Sequence, residues 1–243
     1  MKKRVLITGS SKGIGKAIAQ TLCQNGYEVC LCGRDENALK YLAEKINAKG
    51  YCISDLTQQN SAKILYENAT KILGNIDILV NNAGEYFYGA IENTDETNID
   101  KLLTLNTKVP YQLISFCAKE MKKNNFGRIV NIGSISGTIG EANASLYSMT
   151  KSALQGMTKA LALEFAQNNI TINTINPGFV QTNLLENTFD KDFTKDELLD
   201  MIPQGRFIEP VEIANLVNYL ISPEAKGLTG QSISLCAGMS IGC

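Results

Sequence analysis

Arg4-Val-Leu-Ile-Thr-Gly-Ser-Ser-Lys-Gly-Ile-Gly15 is a short apolar run, a glycine-rich turn and the opening of a helix, in that order. Gly9 permits a tight turn out of the strand, while Gly13 and Gly15 let backbone and helix come close to a pyrophosphate. A helix starting there turns its free N–H groups and its positive dipole end towards such an anion. The spacing is Gly-x-x-x-Gly-x-Gly, not the Gly-x-Gly-x-x-Gly of the common dinucleotide fingerprint. Its place between strand and helix is what points to phosphate. Gly9, Ser11, Lys12, Gly13, Ile14 and Gly15 are therefore candidate cofactor-binding residues.

Outward from this turn, short apolar runs alternate with longer amphipathic stretches. Residues 4–8, 28–32, 76–80, 128–132, 170–175 and 231–235 read as strands, with a weaker one at 51–53. Their near-continuous apolar character suits strands covered on both faces, as in a parallel sheet. Helical patterns lie near 14–25, 36–48, 58–73, 96–123, 147–168 and 210–221. The alternation predicts an α/β fold of the Rossmann type, a single domain over 1–243 whose doubly wound, mostly parallel sheet has seven strands. Asp35 is expected to cap the second helix and Pro210 to sit in the first turn of the last. The segment 183–206 breaks the rhythm, with one short helix expected near 195–201. A long excursion between a strand and a helix reads as a substrate-binding lid.

The end of the second strand bears on coenzyme choice. An acid there would hold a ribose 2′-hydroxyl, whereas an arginine accommodates a 2′-phosphate. Gly33-Arg34 stands there, with Lys12 facing the same position, so NADP(H) is favoured over NAD(H).

Proton chemistry has to come from elsewhere than histidine, because the chain has none. Asn131-Ile-Gly-Ser134-Ile-Ser-Gly137 and Tyr147-Ser-Met-Thr-Lys151 offer an alternative. Tyr147 and Lys151 share one helix face at i, i+4, and Ser134 lies at the polar end of an apolar run. A phenol, a neighbouring cation and a hydroxyl can together hold a carbonyl oxygen and move a proton to it.

Together these motifs identify the chain as resembling the short-chain dehydrogenase/reductases over nearly its full length. Thr8–Gly15 matches that family's coenzyme turn, Asp55-Leu56 its adenine-contacting pair, and Asn81-Asn82-Ala83-Gly84 its signature after the fourth strand. Asn106, Ser134, Tyr147 and Lys151 match its catalytic set, and the stretch Asn176-Pro177-Gly178-Phe179-Val180-Gln181-Thr182 its nicotinamide segment. The resemblance implies hydride exchange between nicotinamide and a substrate carbonyl. Tyr147 would then be acid or base, and Ser134 would fix the oxygen. Lys151 would bind the ribose and lower the Tyr147 pKa from about 10, and Asn106 would hold a relay water. Family members are usually tetramers or dimers, which implies an assembly through helices near 96–123 and 147–168.

Within the family, the nearest likeness is to 3-oxoacyl-[acyl-carrier-protein] reductases, through 133–137, 203–206, 209–214 and 228–231. Residues 85–91, the pairs Asn124-Asn125 and Asn168-Asn169, and 235–243 depart from it. An acidic carrier protein would need a basic landing patch, for which Lys122, Lys123, Arg128 and Arg206 are available. Tyr86, Phe87 and Tyr88 could instead line a pocket for a compact ketone, such as a sugar, polyol, steroid or quinone. A non-catalytic NADP(H)-binding sensor on the same fold is the alternative from another class.

Composition narrows the partners. With 23 basic against 24 acidic side chains, net −1, and no basic run, nucleic acid and anionic membranes are not expected. No stretch approaches the roughly 20 apolar residues of a membrane span, and the expected compartment is the cytosol. Seven cysteines without CxxC spacing read as small hydrophobes, and no metal site is expected.

Overall fold

The apolar runs become seven strands in a computed structural model, which describes residues 2–182 and 194–241. They are β1 (Arg4–Ile7), β2 (Glu28–Gly33), β3 (Gly50–Ile53), β4 (Ile78–Asn81), β5 (Gly127–Ile132), β6 (Ile170–Pro177) and β7 (Ser232–Leu235). All pair in parallel, in the order β3-β2-β1-β4-β5-β6-β7. The chain works outward from β1 to one edge, then returns to β4 and works outward to the other. Such a reversal opens a crevice at the carboxyl ends of β1 and β4, where α/β sheets bind ligands.

Each central strand is buried on both faces, which is why its sequence is a run and not an alternation. Val5, Ile7, Val29 and Leu31 join one core layer with Ile18, Leu22, Ile213 and Val217. Leu6, Cys30, Cys32 and Leu79 join the other with Leu65, Leu113, Cys117 and Phe165. Cys30, Cys32, Cys52 and Cys117 thus pack as small hydrophobes, and Cys243 lies outside the described residues.

β4 begins two residues later than its apolar pattern suggests because Asp77 is used otherwise. Its carboxylate accepts the Arg4 backbone N–H (3.0 Å) and two guanidinium donors (2.8 and 3.0 Å), fastening β1 to β4. Burial pushes this carboxyl up, and Arg4 more than offsets it, leaving the pKa below the usual carboxylate range.

The helices follow the pattern with one exception. They include α1 (Gly13–Gln24), α2 (Glu36–Ile46) and α3 (Ser61–Leu73). Asp35 caps α2, accepting the Ala38 N–H at 3.0 Å. The stretch expected as one helix over 96–123 is instead α4 (Glu96–Leu103), a wide π-turn (Thr104–Lys108) and α5 (Val109–Lys123). Pro110 supplies the reason: it has no N–H to give to the carbonyl of Asn106, four residues earlier, so regular α-helix cannot pass through. Such single wide turns concentrate at functional sites, and this one carries Asn106.

Then come α6 (Ser136–Ile139) and α7 (Ser145–Phe165), and helices at Lys195–Asp200 and Pro210–Leu220. Pro210 does occupy the first turn of the last of these. Asn125 and Asn169 sit at φ 47° and 49°, left-handed positions that asparagine tolerates better than a long side chain. Residues 183–193 of the expected lid lie outside the described residues. Its remainder carries the Lys195–Asp200 helix, opened by a reciprocal Thr194–Glu197 capping box.

One expected surface residue is not at the surface. Arg128 is 3% exposed, and its guanidinium donates to the Gly127 and Asn169 carbonyls at 2.7 and 2.8 Å. It is held inside by backbone acceptors and drops out of the basic patch. Arg206 is exposed, but its fork is occupied by Glu212 (2.8 and 2.9 Å). No helix among the described residues is long and apolar enough to cross a membrane.

Candidate active site

The glycine turn at the β1–α1 junction is braced from the neighbouring strand. Asn82 Nδ2 donates to the Thr8 and Gly9 carbonyls at 2.9 and 2.8 Å. Thr8 Oγ1 in return accepts the Asn82 and Ala83 N–H groups, both at 3.0 Å. Gly9 has φ +64°, and a Cβ on Gly15 would overlap the Gly9 carbonyl oxygen. The turn is closed as tightly as glycine allows.

No side chain caps the start of α1, so the amides of its first turn remain available to an anion. Lys12 and Arg34 are exposed beside it. Asp55 is oriented by Thr57, whose N–H and hydroxyl it accepts at 3.0 and 2.8 Å. Those bonds, with a smaller contribution from Arg34, hold its pKa below the usual range. Leu56 is spent differently: its side chain is buried in the core, so contact there falls to Asp55 and the backbone. Beyond β6, Pro177, Gly178, Val180 and Thr182 reach the same crevice, and a Cβ on Gly13 would lie 3.4 Å from Thr182 Cγ2. An uncapped helix start, a turn without room for a Cβ at Gly9 or Gly15 and two exposed cations fit a dinucleotide phosphate.

The second half of the site comes from β5, α7 and the π-turn. Lys151 Nζ donates to the Ile132 carbonyl at 2.9 Å and stands 5.6 Å from the Tyr147 ring centroid. Asn106 is buried and fully engaged. Its Nδ2 donates to the Glu85 carbonyl (2.9 Å) and Thr150 Oγ1 (3.1 Å), and its Oδ1 accepts the Glu85 N–H (3.0 Å). A Cβ on Gly84 would lie 3.2 Å from Lys151 Nζ and 3.3 Å from Asn106 Oδ1, so the bare glycine lets these groups converge. Ser134, Tyr147, Lys151 and Asn82 share a cavity of about 510 Å³ with Ile14, Gly84 and Tyr86.

The electrostatics differ from the expectation that Lys151 lowers the Tyr147 pKa. Burial pushes the phenol up to about 12, with Ser134 pulling it back and the Glu141 charge adding to the rise. The same burial drives Lys151 down to about 8. An enclosed site penalises both charged forms, and desolvation outweighs their mutual help.

A stability measurement can read this. Below pH 8 the folded protein carries a buried ammonium, a cost the unfolded chain does not bear. Between about 8 and 10.5 the folded state has released that proton and the unfolded state has not, so stability rises with pH over this window. Tyr147 acts oppositely above pH 10, as do Cys32 and Cys117, which burial pushes up from about 9, but those contributions are shared by a Lys151→Met variant. Thermal unfolding of wild type and variant without coenzyme should therefore show the Tm difference moving in the wild type's favour from pH 8 to 10. A difference that stays flat with pH would contradict the buried ammonium.

One residue was missed from sequence, although a signal existed. Glu141 is the sole charged residue between Arg128 and Lys151, and it sits in the cavity. Its Oε2 accepts the Ser136 hydroxyl at 2.7 Å and its Oε1 the Tyr86 hydroxyl at 2.5 Å. Ser134 joins the chain, donating to Ser136 Oγ at 3.1 Å. Tyr86 packs edge-on against Tyr147, centroids 4.9 Å apart. Of the three aromatics expected near a pocket, Tyr86 and Tyr88 line it, while Phe87 packs beside Gly89.

Known proteins resemble this chain over nearly its full length. Residues 9–240 match the family described as enoyl-(acyl carrier protein) reductase. The 3-oxoacyl-[acyl-carrier-protein] reductase of Vibrio cholerae is 34% identical over 239 residues, covering 98% of this chain and 97% of that one. Carbonyl reductase family member 4 of Xenopus tropicalis is 33% identical, covering 99% of both. Among solved structures, a variant of actinorhodin polyketide ketoreductase with NADPH superposes with a TM-score of 0.94 at 30% identity, covering 99% of this chain and 98% of that one. With its parallel sheet, braced glycine turn and Ser–Tyr–Lys cluster, the chain belongs to the short-chain dehydrogenase/reductase family.

Proposed function

We propose that the chain is an NADP(H)-dependent oxidoreductase that interconverts a carbonyl and a secondary alcohol. The observation that carries this is convergence: Ser134, Tyr147 and Lys151 open onto one cavity that also receives Ile14, Gly84, residues 177–180 and Thr182. The coenzyme, when bound, supplies or accepts the hydride. Gly9, Ser11, Lys12, Gly13, Ile14 and Gly15 would hold its pyrophosphate, Arg34 with Lys12 its 2′-phosphate, and Asp55 with the Leu56 backbone its adenine end. Asn82, Ala83, Gly84, Pro177, Gly178, Val180 and Thr182 would line its nicotinamide half. The NADPH present in the related polyketide ketoreductase supports this choice over NADH.

The chain's own work is to place one oxygen and move one proton. Ser134, now bonded to Ser136, can turn its hydroxyl to the substrate oxygen and fix it beside Tyr147. Tyr147, a neutral phenol at neutral pH, gives its proton to the developing alkoxide in reduction and takes it back in oxidation. Lys151 would bind ribose and carry the proton onward. Asn106 would support a relay water from its backbone carbonyl, since its amide is already engaged and Pro110 withholds the α-helical donor.

The substrate is a carbonyl compound small enough to enter beside Tyr86 and Tyr88. An acyl thioester remains within reach through the relatives' chemistry, with Lys122 and Lys123 available to an acidic carrier protein. Exposed Tyr111 and Leu163, on α5 and α7, suit assembly into a dimer or tetramer. NADPH oxidation against acetoacetyl thioesters, sugar ketones, steroids, quinones and simple methyl ketones tests the reading. Turnover of at least one class is expected, with NADPH preferred over NADH by roughly tenfold or more, as charge recognition of a 2′-phosphate allows. Tight NADPH binding with no turnover on any class would replace it with the sensor reading.

A further inference from the structure

We infer that Glu141, with the rings of Tyr86 and Tyr88, forms a subsite for an ammonium group carried by the carbonyl substrate. This rests on the reductase reading and deepens it by naming a substrate class, a positively charged ketone. Three independent features meet there.

The first is a carboxylate that no cation pairs with directly, although Lys151 lines the same cavity. Each Glu141 oxygen accepts one neutral hydroxyl, from Tyr86 and from Ser136, and each keeps a further lone pair. Among the described residues no lysine or arginine forms an ion pair with it. A carboxylate in a partly dry site favours a cation and repels a second anion.

The second is aromatic. Tyr86 and Tyr88 lie nearly parallel, 24° apart with centroids separated by 6.5 Å, and Tyr147 stands edge-on to Tyr86 at 79°. Asn143 Nδ2 fixes the Tyr88 hydroxyl at 3.1 Å. Tyr86 meets Glu141 through its hydroxyl, and aromatic faces attract ammonium groups, most strongly where water is excluded.

The third is placement. Glu141 is two hydrogen bonds from Ser134, through Ser136, so a cation on Glu141 belongs to the same small molecule whose oxygen Ser134 holds. Ile139, Leu198 and Met201 supply apolar lining for its carbon frame.

The test compares shape-matched ketones near neutral pH with NADPH. Dimethylaminoethyl methyl ketone is protonated there, isopentyl methyl ketone is its neutral isostere, and levulinate is an anionic counterpart. Wild type should prefer the ammonium ketone over the isostere by about tenfold in kcat/KM and use levulinate least. Glu141→Gln should bring the first ratio close to one. Because the ratio is taken within one preparation, partial misfolding of the variant does not mimic the result. Equal use of the matched pair by wild type, or an unchanged ratio in Glu141→Gln, would overturn the inference.

Calorimetric binding of the same pair to the NADP⁺-loaded protein gives a readout that needs no turnover. Charge-selective binding lost in Glu141→Gln upholds the subsite even if no ketone is reduced, an outcome that would count against the reductase reading instead. Equal binding of both ketones sinks the subsite whatever the turnover.

Discussion

Tyr147→Phe should bind NADPH within about twofold of wild type and lose roughly 10²–10⁴ in turnover, the usual worth of a positioned acid or base. The substitution removes one oxygen from a ring that stays packed against Tyr86, so the fold has no reason to change. The chain has no histidine to take over the proton. In wild type the phenol, its pKa pushed up to about 12 by burial, is in the acid form at neutral pH, as an ordinary phenol with a pKa of about 10 also is. Coenzyme titration by fluorescence, paired with steady-state rates on the best carbonyl found, separates binding from chemistry. Turnover within tenfold of wild type would remove Tyr147 from the proton step.

Gly15→Ala should weaken NADPH binding by about 100-fold or more, since tightly packed backbone cannot absorb even one methyl group without moving. The new Cβ would overlap the Gly9 carbonyl oxygen and come within 2.5 Å of Asn82 Nδ2. Relief requires opening the turn, which also pulls on the bonds from Asn82 to Thr8 and Gly9. Gly156→Ala on α7 is the matched control: nothing lies within 4 Å of its added Cβ, and helical Gly→Ala usually gains about 0.5–1 kcal/mol. Calorimetric Kd values and Tm for both variants check the contrast. Unaltered NADPH affinity in Gly15→Ala would mean that the turn does not carry the pyrophosphate.

Much of this architecture is legible without coordinates, for a physical reason. A parallel sheet covered on both faces writes itself as apolar runs, and Val5-Leu-Ile7 supplies alternate residues to both core layers. Caps are local, so Asp35 and Pro210 could be placed from their neighbours in sequence. What sequence could not show depends on contacts between distant segments. Arg128 looks like a surface cation until β5 and β6 pair and its acceptors on Gly127 and Asn169 close around it. Asp77 reads as part of a strand until Arg4 arrives beside it. Lys151 was expected to ease Tyr147's ionisation because adjacency is visible in sequence and desolvation is not. Glu141 stood out by its isolated charge, but its hydroxyl partners come from residues five and fifty-five positions away.

The π-turn ahead of α5 also constrains how this chain can change its length. Pro110 lies two residues beyond that turn and has no N–H for the carbonyl four residues back, so a deletion within Thr104–Lys108 leaves the obstacle to regular α-helix in place. What a lost residue would disturb is Asn106, whose amide is bonded to both backbone groups of Glu85 and to Thr150. A single-codon deletion here would therefore be read out at the site, while an equal deletion in an exposed loop would be absorbed locally.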